Sequence, residues 1–275
     1  MKIHAIQTGS VRIKSSQRVG RGRGQMRQLH VLFDRAWTEW LPIYAWAIET
    51  SEGTILVDTG ETARTALPGY FPRWHPYFWL AVQLSVTPEQ EIGPQLHGLG
   101  IDPLEVRKVV LTHLHTDHAG GLEHFPRAEI LVSQPEYRAA EGLAGQVRGY
   151  LPNRWPKWFQ PRFIEFQKSA DCAPFERSAP LTTDGAVMIV PTPGHTPGHV
   201  SVIVRDGDTS YFLAGDTTYS QDALRDHLVD GVSPDAATAL RTIQTILGYA
   251  KQHPTVYLPA HDPESPARLR QVSTV

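Results

Sequence analysis

The sequence predicts an α/β protein built as a four-layer αβ/βα sandwich, with two mixed sheets face to face and helices on the outer faces. Two runs of apolar, strand-like segments support this fold, one in each half of the chain, and each is followed by helix-start signals. Candidate metal ligands follow strands in both halves. A length of 275 residues fits a single domain over residues 1–275.

The first half contains alternating and apolar segments that indicate a sheet. The predicted strands are residues 2–7 (an edge strand), 41–49, 54–58, 108–112 and 129–132. The second and third form a hairpin around a Ser-Glu-Gly turn at 51–53. Thr87 caps a helix with Pro at its first position and Gln90 three residues on, and this helix should end near Gly98 or Gly100. Ser133 opens another helix that ends by Gly142.

The second half repeats this pattern after an irregular stretch over 145–185. The predicted strands are residues 186–190, 200–204, 209–214 and 255–258. Ser233-Pro234 is expected to cap a long helix that runs to about Gln252 with one apolar face.

A basic, glycine-rich run spans residues 12–28. It carries cations and no acid before Asp34, and its members are Arg12, Lys14, Arg18, Arg21, Arg23 and Arg27. Such a run is usually a solvated flexible loop. The alternative is a lid over the site that steers an anionic group.

Residues 68–82 are dense in aromatic side chains, and their three prolines argue against a regular helix through the first half. This segment could pack on the core, form the contact of a possible homodimer, or wall a ligand pocket. Trp74 and Phe78 are the substrate-binding candidates of the third interpretation.

Composition sets limits on partners and location. The net charge of -2 and the pI near 6.7 give no overall attraction to nucleic acid or to an anionic membrane, so neither is expected as a partner. The single Cys172 rules out an internal disulfide. The chain starts without a signal-peptide core and has no apolar run of about 18 residues. The expectation is a soluble cytoplasmic protein.

Three histidines and one aspartate lie within six residues directly after the predicted strand 108–112. His113 and His115 are two apart, so in an extended segment their side chains point the same way. Asp117 and His118 are adjacent, face different directions and could serve two metal ions. Imidazole and carboxylate together suit zinc and similar divalent ions. The alternative is that these histidines cap a helix or face solvent.

Three further candidate ligands, His195, Asp216 and His261, each follow an apolar strand. Strand ends that meet at one edge of the sheets predict one shared site. His199 begins the next strand and is expected to pack or to hydrogen-bond. Asp58 also ends a strand, and either a hydrogen bond to a ligand histidine or a turn cap would satisfy its carboxylate.

The pattern His-x-His-x-Asp-His after an apolar strand resembles the signature of the metallo-β-lactamase superfamily. The resemblance implies a first ion on His113, His115 and His195, a second ion on Asp117, His118 and His261, and Asp216 as a bridge between the two. Zinc is the favoured metal, and iron, manganese and cobalt are alternatives.

Within that superfamily the chain is similar to N-acyl-homoserine lactone lactonases. The motifs that carry this similarity are Leu41-Pro42-Ile43 and residues 56–60, 113–121, 192–199, 215–219 and 260–262. Tyr219 stands three residues after Asp216, where that family places a tyrosine that binds the substrate carbonyl. Thr116 stands where the family commonly has an aromatic residue, and the aromatic segment is longer than usual.

The similarity implies a quorum-quenching hydrolase that opens a small-molecule lactone, with a hydroxide between two ions as the nucleophile and Asp117 as the proton carrier. A phosphotriesterase or arylesterase on the same scaffold is the rival enzyme. A non-catalytic metal-binding module is the alternative from another class. A β-lactamase is disfavoured, because that branch commonly has a cysteine ligand where Asp216 stands.

Overall fold

The computed structural model describes residues 1–22, 24 and 26–275. The strands are β1 (Lys2–Ile13), β2 (Leu41–Thr50), β3 (Gly53–Val57), β4 (Val82–Ser85), β5 (Lys108–Val110), β6 (Glu129–Val132), β7 (Arg162–Phe163), β8 (Gln167–Lys168), β9 (Arg177–Pro180), β10 (Val187–Pro191), β11 (Val200–Asp206), β12 (Thr209–Gly215) and β13 (Thr255–Pro259). The α-helices are α1 (Ser15–Arg18), α2 (Met26–Phe33), α3 (Tyr77–Leu80), α4 (Ile92–Gly98), α5 (Thr116–Ala119), α6 (Gln134–Ala140), α7 (Gly142–Val147), α8 (Gln221–Arg225), α9 (Ala236–Gln252) and α10 (Ser265–Gln271). Short 3-10 turns cover Ala63–Ala66, Pro88–Gln90, Pro103–Glu105, Leu122–His124 and Pro152–Arg154.

Within the described residues these strands form two sheets. The first has the order β4-β1-β2-β3-β5-β6-β7, and the second has the order β13-β12-β11-β10-β9-β8. In the first sheet β3, β5, β6 and β7 are parallel neighbours, whereas β4, β1, β2 and β3 pair antiparallel. Among the described strands of the second sheet, only β12 and β13 pair parallel. Both sheets are therefore mixed, as predicted.

Alternation along the strands builds the layers. On β2, Trp46 and Ile48 point into a core shared with β10–β13, whereas Ala45 and Ala47 point to the opposite core under α4 and α6. The second sheet behaves in the same way, because Ile189 faces the central core and Met188 and Val190 face α9. The result is the predicted four-layer sandwich. Among the described residues, no helix combines the length and the apolar character needed to cross a bilayer.

The prediction of a solvated flexible loop over residues 12–28 is wrong for most of its described part. Strand β1 runs to Ile13, α1 follows, and α2 begins at Met26. Lys14 lies with its ammonium 3.7 Å from the ring centroid of Trp37, and Arg27 is buried with its guanidinium donating to the carbonyls of Val229 and Asp230. Long basic side chains can pack in this way because only their heads need polar partners. Arg23 lies outside the described residues.

Three smaller boundaries also differ from prediction. The capping box at Thr87 is present, but it starts a 3-10 turn, and the extended backbone of Glu91 separates that turn from α4. The cap of α9 is Asp235 and not Ser233, which bonds to Asp230 instead. The irregular stretch at 145–185 contains the short strands β7, β8 and β9.

The aromatic segment 68–82 both packs internally and walls a pocket. Phe78 is buried with Tyr70 and Leu151, and its ring stacks on Phe71 at 4.7 Å between centroids. Trp74 is 57% exposed but also lines the pocket with Phe78. As predicted, the first half of this segment forms no regular helix: residues 68–76 are all described and contain none, and α3 begins at Tyr77.

Candidate metal centre

The candidate ligands meet because the strands that precede them end at the same side of the two facing sheets. His113 and His115 lie between β5 and α5, and Asp117 and His118 lie in α5. The other three ligands come from the second sheet, after β10, β12 and β13 respectively: His195, Asp216 and His261. The ligands of both sequence halves therefore share one location.

The first group consists of His113, His115 and His195. His113 Nε2 lies 3.0 Å from His115 Nδ1, which lies 3.1 Å from His195 Nε2. All ligand atoms of this group lie within 4.8 Å of one another. Three ring nitrogens of buried or half-buried histidines thus converge on one point.

The second group consists of Asp117, His118 and His261, with Asp216 between the two groups. Asp216 Oδ1 lies 3.3 Å from both His118 Nε2 and His261 Nε2, and its Oδ2 lies 3.5 Å from His195 Nε2. Asp117 Oδ2 lies 3.4 Å from His261 Nε2. Asp216 therefore directs one oxygen to each group, which is the geometry that a bridging carboxylate needs.

Two buried atoms test whether metal ions fit. His118 Nε2 and Asp216 Oδ1 are buried, and neither has a hydrogen-bond partner with acceptable geometry, a state that costs free energy unless something else binds these atoms. Ligand atoms on a tetrahedral ion with bonds of about 2.0–2.1 Å are roughly 3.3 Å apart, close to the spacings around Asp216. The donor set of imidazole and carboxylate fits a pair of divalent ions.

Hydrogen bonds from the Nδ1 atoms hold three of the candidate ligand rings in place. His118 Nδ1 donates to Asp58 Oδ2 at 2.8 Å, which confirms the hydrogen bond considered for Asp58. His195 Nδ1 donates to Asp230 Oδ2 at 3.1 Å, and His261 Nδ1 donates to the carbonyl of Pro42 at 2.8 Å. Protonation on Nδ1 leaves the Nε2 lone pair of each ring free for a metal.

Electrostatics favour cations at this point. Burial lowers the pKa of His113 well below its usual value and that of His115 to about 3, so both rings are neutral. Burial alone would raise the pKa of Asp216, but His261 and His118 outweigh it and hold the pKa well below the usual range. Burial would lower the pKa of His118 and His261, but the Asp216 carboxylate outweighs it and raises both. The centre thus combines an ionised carboxylate with two neutral imidazoles and with two imidazoles that its field holds in favour of positive charge.

His199 belongs to none of the candidate ligand groups found among the described residues. Its Nε2 accepts the backbone N–H of Asp216 at 3.0 Å, and its Nδ1 lies 2.9 Å from Thr192 Oγ1. The expected packing and hydrogen-bonding role is therefore confirmed, and the ring fixes the backbone of the bridging residue.

Tyr219 lies beside the ligands. Its ring stacks on His261 at 5.6 Å between centroids and meets the ring of His195 edge-on at 6.5 Å. Burial, followed by the carboxylates of Asp216 and Asp230, raises the pKa of Tyr219 well above its usual value. The phenol therefore stays protonated and can act as a hydrogen-bond donor.

A cavity of about 880 Å³ opens onto the centre and is lined by Asp117, His195, Asp216, Tyr219 and His261. Part of its wall is apolar and comes from β1, α2, α3 and β4, with side chains Val11, Ile13, Val31, Leu32, Phe78, Val82 and Leu84. A ligand could place a polar head at the metal centre and an apolar tail along this wall.

Sequence reasoning missed several residues that hold the site. Asp230 follows α8 with no strand before it, and Gln17 lies in the basic run at 12–28, for which a solvated loop was predicted. The only available signal was the Asp-Gly-Val-Ser turn at 230–233, in which Asp230 accepts the backbone N–H groups of Val232 and Ser233. That signal indicates a turn and carries no information about His195.

Comparison with known proteins gives consistent results. The family model described as the metallo-beta-lactamase superfamily matches residues 38–261. The chain is 27% identical to the N-acyl homoserine lactonase AttM of Agrobacterium fabrum (strain C58) over 242 residues, which is 84% of this chain and 86% of the relative.

Solved structures show the same fold. A B. thuringiensis AiiA mutant with N-decanoyl-L-homoserine bound at the active site has a TM-score of 0.75 at 24% identity, covering 100% of this chain and 96% of that chain. The dizinc quorum-quenching lactonase AidC has a TM-score of 0.63 at 17% identity, covering 95% and 87%.

Proposed function

This chain belongs to the metallo-β-lactamase superfamily, and we propose that it is a metal-dependent hydrolase that opens the ester ring of N-acyl-homoserine lactones. The similarity to AttM, a lactonase by name, supports this substrate class. The observation that carries the proposal is the joint position of seven ligand-type side chains and the Tyr219 phenol at one end of a partly apolar cavity. Quorum quenching would be the biological consequence.

The ligand roles follow from the geometry. His113, His115 and His195 would hold one ion, Asp117, His118 and His261 the other, and Asp216 both. Two divalent ions, with zinc favoured by the imidazole-rich donor set, would supply Lewis-acid chemistry that lowers the pKa of a water and polarises an ester carbonyl.

Asp117 is suited to carry the proton. Its side chain is 18% exposed, whereas those of His118, Asp216 and His261 are nearly inaccessible, and it lines the cavity. As the oxygen of the attacking water bonds to the carbonyl carbon, the Asp117 carboxylate takes the proton. It then returns the proton to the ring oxygen as the ester bond breaks, which leaves a hydroxyl and a carboxylic acid.

Tyr219 is suited to stabilise the developing oxyanion. Its protonated phenol lies beside His261 and His195 at the cavity wall, so its O–H can donate to the carbonyl oxygen of a bound ester. One such donor can contribute about 3–4 kcal/mol to the transition state. The apolar wall would bind the acyl chain with about 0.8 kcal/mol per buried methylene.

The test is a hydrolysis panel with the metal-loaded protein. N-hexanoyl- and N-decanoyl-homoserine lactone, a simple γ-lactone and an aryl phosphotriester are compared at equal metal loading, with wild type, Tyr219→Phe and a matched control. The control is Tyr211→Phe, which makes the same change on β12 at a side chain outside the cavity. We expect the acyl lactones to be the best substrates and Tyr219→Phe to lower their kcat/KM by roughly ten- to a thousandfold.

Two outcomes would contradict the proposal. Preferred cleavage of the phosphotriester, with loss of only that activity in Tyr219→Phe, would assign the rival enzyme. No hydrolysis of any ester by protein with full metal content would favour a non-catalytic metal-binding module.

A further inference from the structure

Gln17 connects the Tyr219 phenol to Tyr77 in the aromatic segment 68–82. It is buried on α1 and lines the cavity. Its Nε2 donates to Tyr219 Oη at 3.1 Å and to Tyr77 Oη at 2.9 Å, and Tyr77 Oη donates back to Gln17 Oε1 at 3.1 Å. We infer that Gln17 is a positioning residue that keeps the Tyr219 hydroxyl hydrogen free to donate to the substrate. This inference rests on the proposed lactone hydrolysis.

The direction of these hydrogen bonds carries the argument. A phenol has one hydrogen to donate and lone pairs to accept with. Gln17 Nε2 fills an accepting position of Tyr219, while Tyr77 uses its own hydrogen on Gln17 Oε1. No acceptor for the Tyr219 hydrogen is found among the described residues, so this hydrogen remains available at the cavity wall. Tyr77 thus fixes the orientation of the amide, and the amide fixes the role of Tyr219.

The backbone around Gln17 fixes the amide in space. Gly231 donates its N–H to the Gln17 carbonyl at 2.8 Å, and Gly20 donates to the Val229 carbonyl at 2.9 Å. A Cβ at Gly231 would collide with the carbonyl of Ser16, so this close approach requires glycine. Asp230, in the same loop, holds the ring of His195. The contact between α1 and this loop therefore helps to fix the position of both the His195 ring and the Gln17 amide that bonds to Tyr219.

Two substitutions separate orientation from packing. Gln17→Leu has similar size but offers Tyr219 neither a donor nor an acceptor. Gln17→Glu keeps the shape, but an ionised carboxylate only accepts and would therefore draw the Tyr219 hydrogen away from the substrate. The second change should be the more harmful one, although it preserves the side-chain outline.

A double-mutant cycle with Tyr219→Phe tests the inference. With Tyr219 present, Gln17→Leu should lower kcat on N-hexanoyl-homoserine lactone roughly two- to tenfold, the factor of one ordinary hydrogen bond, with little change in KM. Gln17→Glu should approach the rate of Tyr219→Phe itself. In the Tyr219→Phe background, neither change should lower kcat further, because the hydrogen they control is gone. Gln95→Leu is the matched control, because the side-chain amide of Gln95 donates only to the Gln7 carbonyl, and it should leave kcat unchanged.

The outcomes distinguish this inference from the proposed function. Equal losses in both Tyr219 backgrounds would show a merely structural role and overturn the inference alone. Unchanged lactone hydrolysis in Tyr219→Phe would overturn the assigned role of Tyr219 and the inference with it. Metal content and thermal unfolding of each variant are measured in parallel, and if Gln17→Leu does not fold, the cycle with Gln17→Glu decides by the same criteria.

Discussion

Asp58→Asn should weaken one metal ion selectively. The side chain of Asp58 only accepts hydrogen bonds: from the N–H of Thr112 at 2.7 Å on Oδ1, and from Thr112 Oγ1 at 2.9 Å and His118 Nδ1 at 2.8 Å on Oδ2. An asparagine keeps the shape and tolerates the left-handed backbone at this position, where φ is 62°. However, its NH₂ group must face either the backbone N–H of Thr112 or His118 Nδ1–H. Two buried hydrogen-bond donors would then point at each other with no acceptor between them.

The substitution is expected to change the tautomer of His118. If the amide oxygen stays on the Thr112 N–H, the ring of His118 can avoid the clash only by moving its proton to Nε2, the atom 3.3 Å from Asp216 Oδ1. That proton occupies the lone pair that a metal needs. Loss of such a partner typically lowers metal affinity about 10- to 100-fold, or about 1.4–2.8 kcal/mol.

The assay is competition with a chromogenic chelator, which resolves the two binding steps. We expect the ion held by His118 to weaken by this factor while the ion held by His113, His115 and His195 changes much less. Asp102→Asn is the matched control, because it alters an exposed aspartate whose carboxylate accepts only the Leu104 N–H. Unchanged affinity for both ions in Asp58→Asn would refute the reasoning.

Three further predictions concern the bridge, the wall and the fold. Asp216→Ala should lose both ions together, since its two oxygens face the two groups, and elemental analysis that still finds two ions would contradict this. Phe78→Ala should flatten the dependence of kcat/KM on acyl-chain length and cost about 3–5 kcal/mol in unfolding free energy, and an unchanged profile with lower stability would favour a pure packing role. Gly60→Ala should lower the urea midpoint, because φ is 67° and a Cβ would collide with the Thr8 side chain, and an unchanged midpoint would argue against the strain.

The sequence could locate the candidate metal centre because its ligand-type residues come shortly after strands or, for Asp117 and His118, in the short helix α5 that follows β5. Strands from the two halves were expected to end at one edge of the sheet pair, so His113 after β5 in one sheet and His261 after β13 in the other were expected to share a site, and they do. This inference needs only the strand pattern and the chemistry of the ligands. The four-layer fold was predictable because two runs of apolar strands, each followed by helix-start signals, are local patterns of the sequence.

The supporting residues could not be predicted, because their roles depend on contacts between distant segments. Gln17 meets Tyr219 across 202 positions of sequence, and Arg27 meets Asp230 across 203. The number of charges around residue 20 favoured a solvated loop. In the structure the Arg27 guanidinium is instead buried, because it donates to the backbone carbonyls of Val229 and Asp230. Local pattern cannot reveal partners of this kind.

The most direct test is a titration of metal-stripped protein with zinc while the opening of N-hexanoyl-homoserine lactone is followed. The account predicts that activity rises until about two ions are bound per chain and that a chelator abolishes it. Full activity at one ion per chain, or lactone opening that does not depend on metal, would contradict the account.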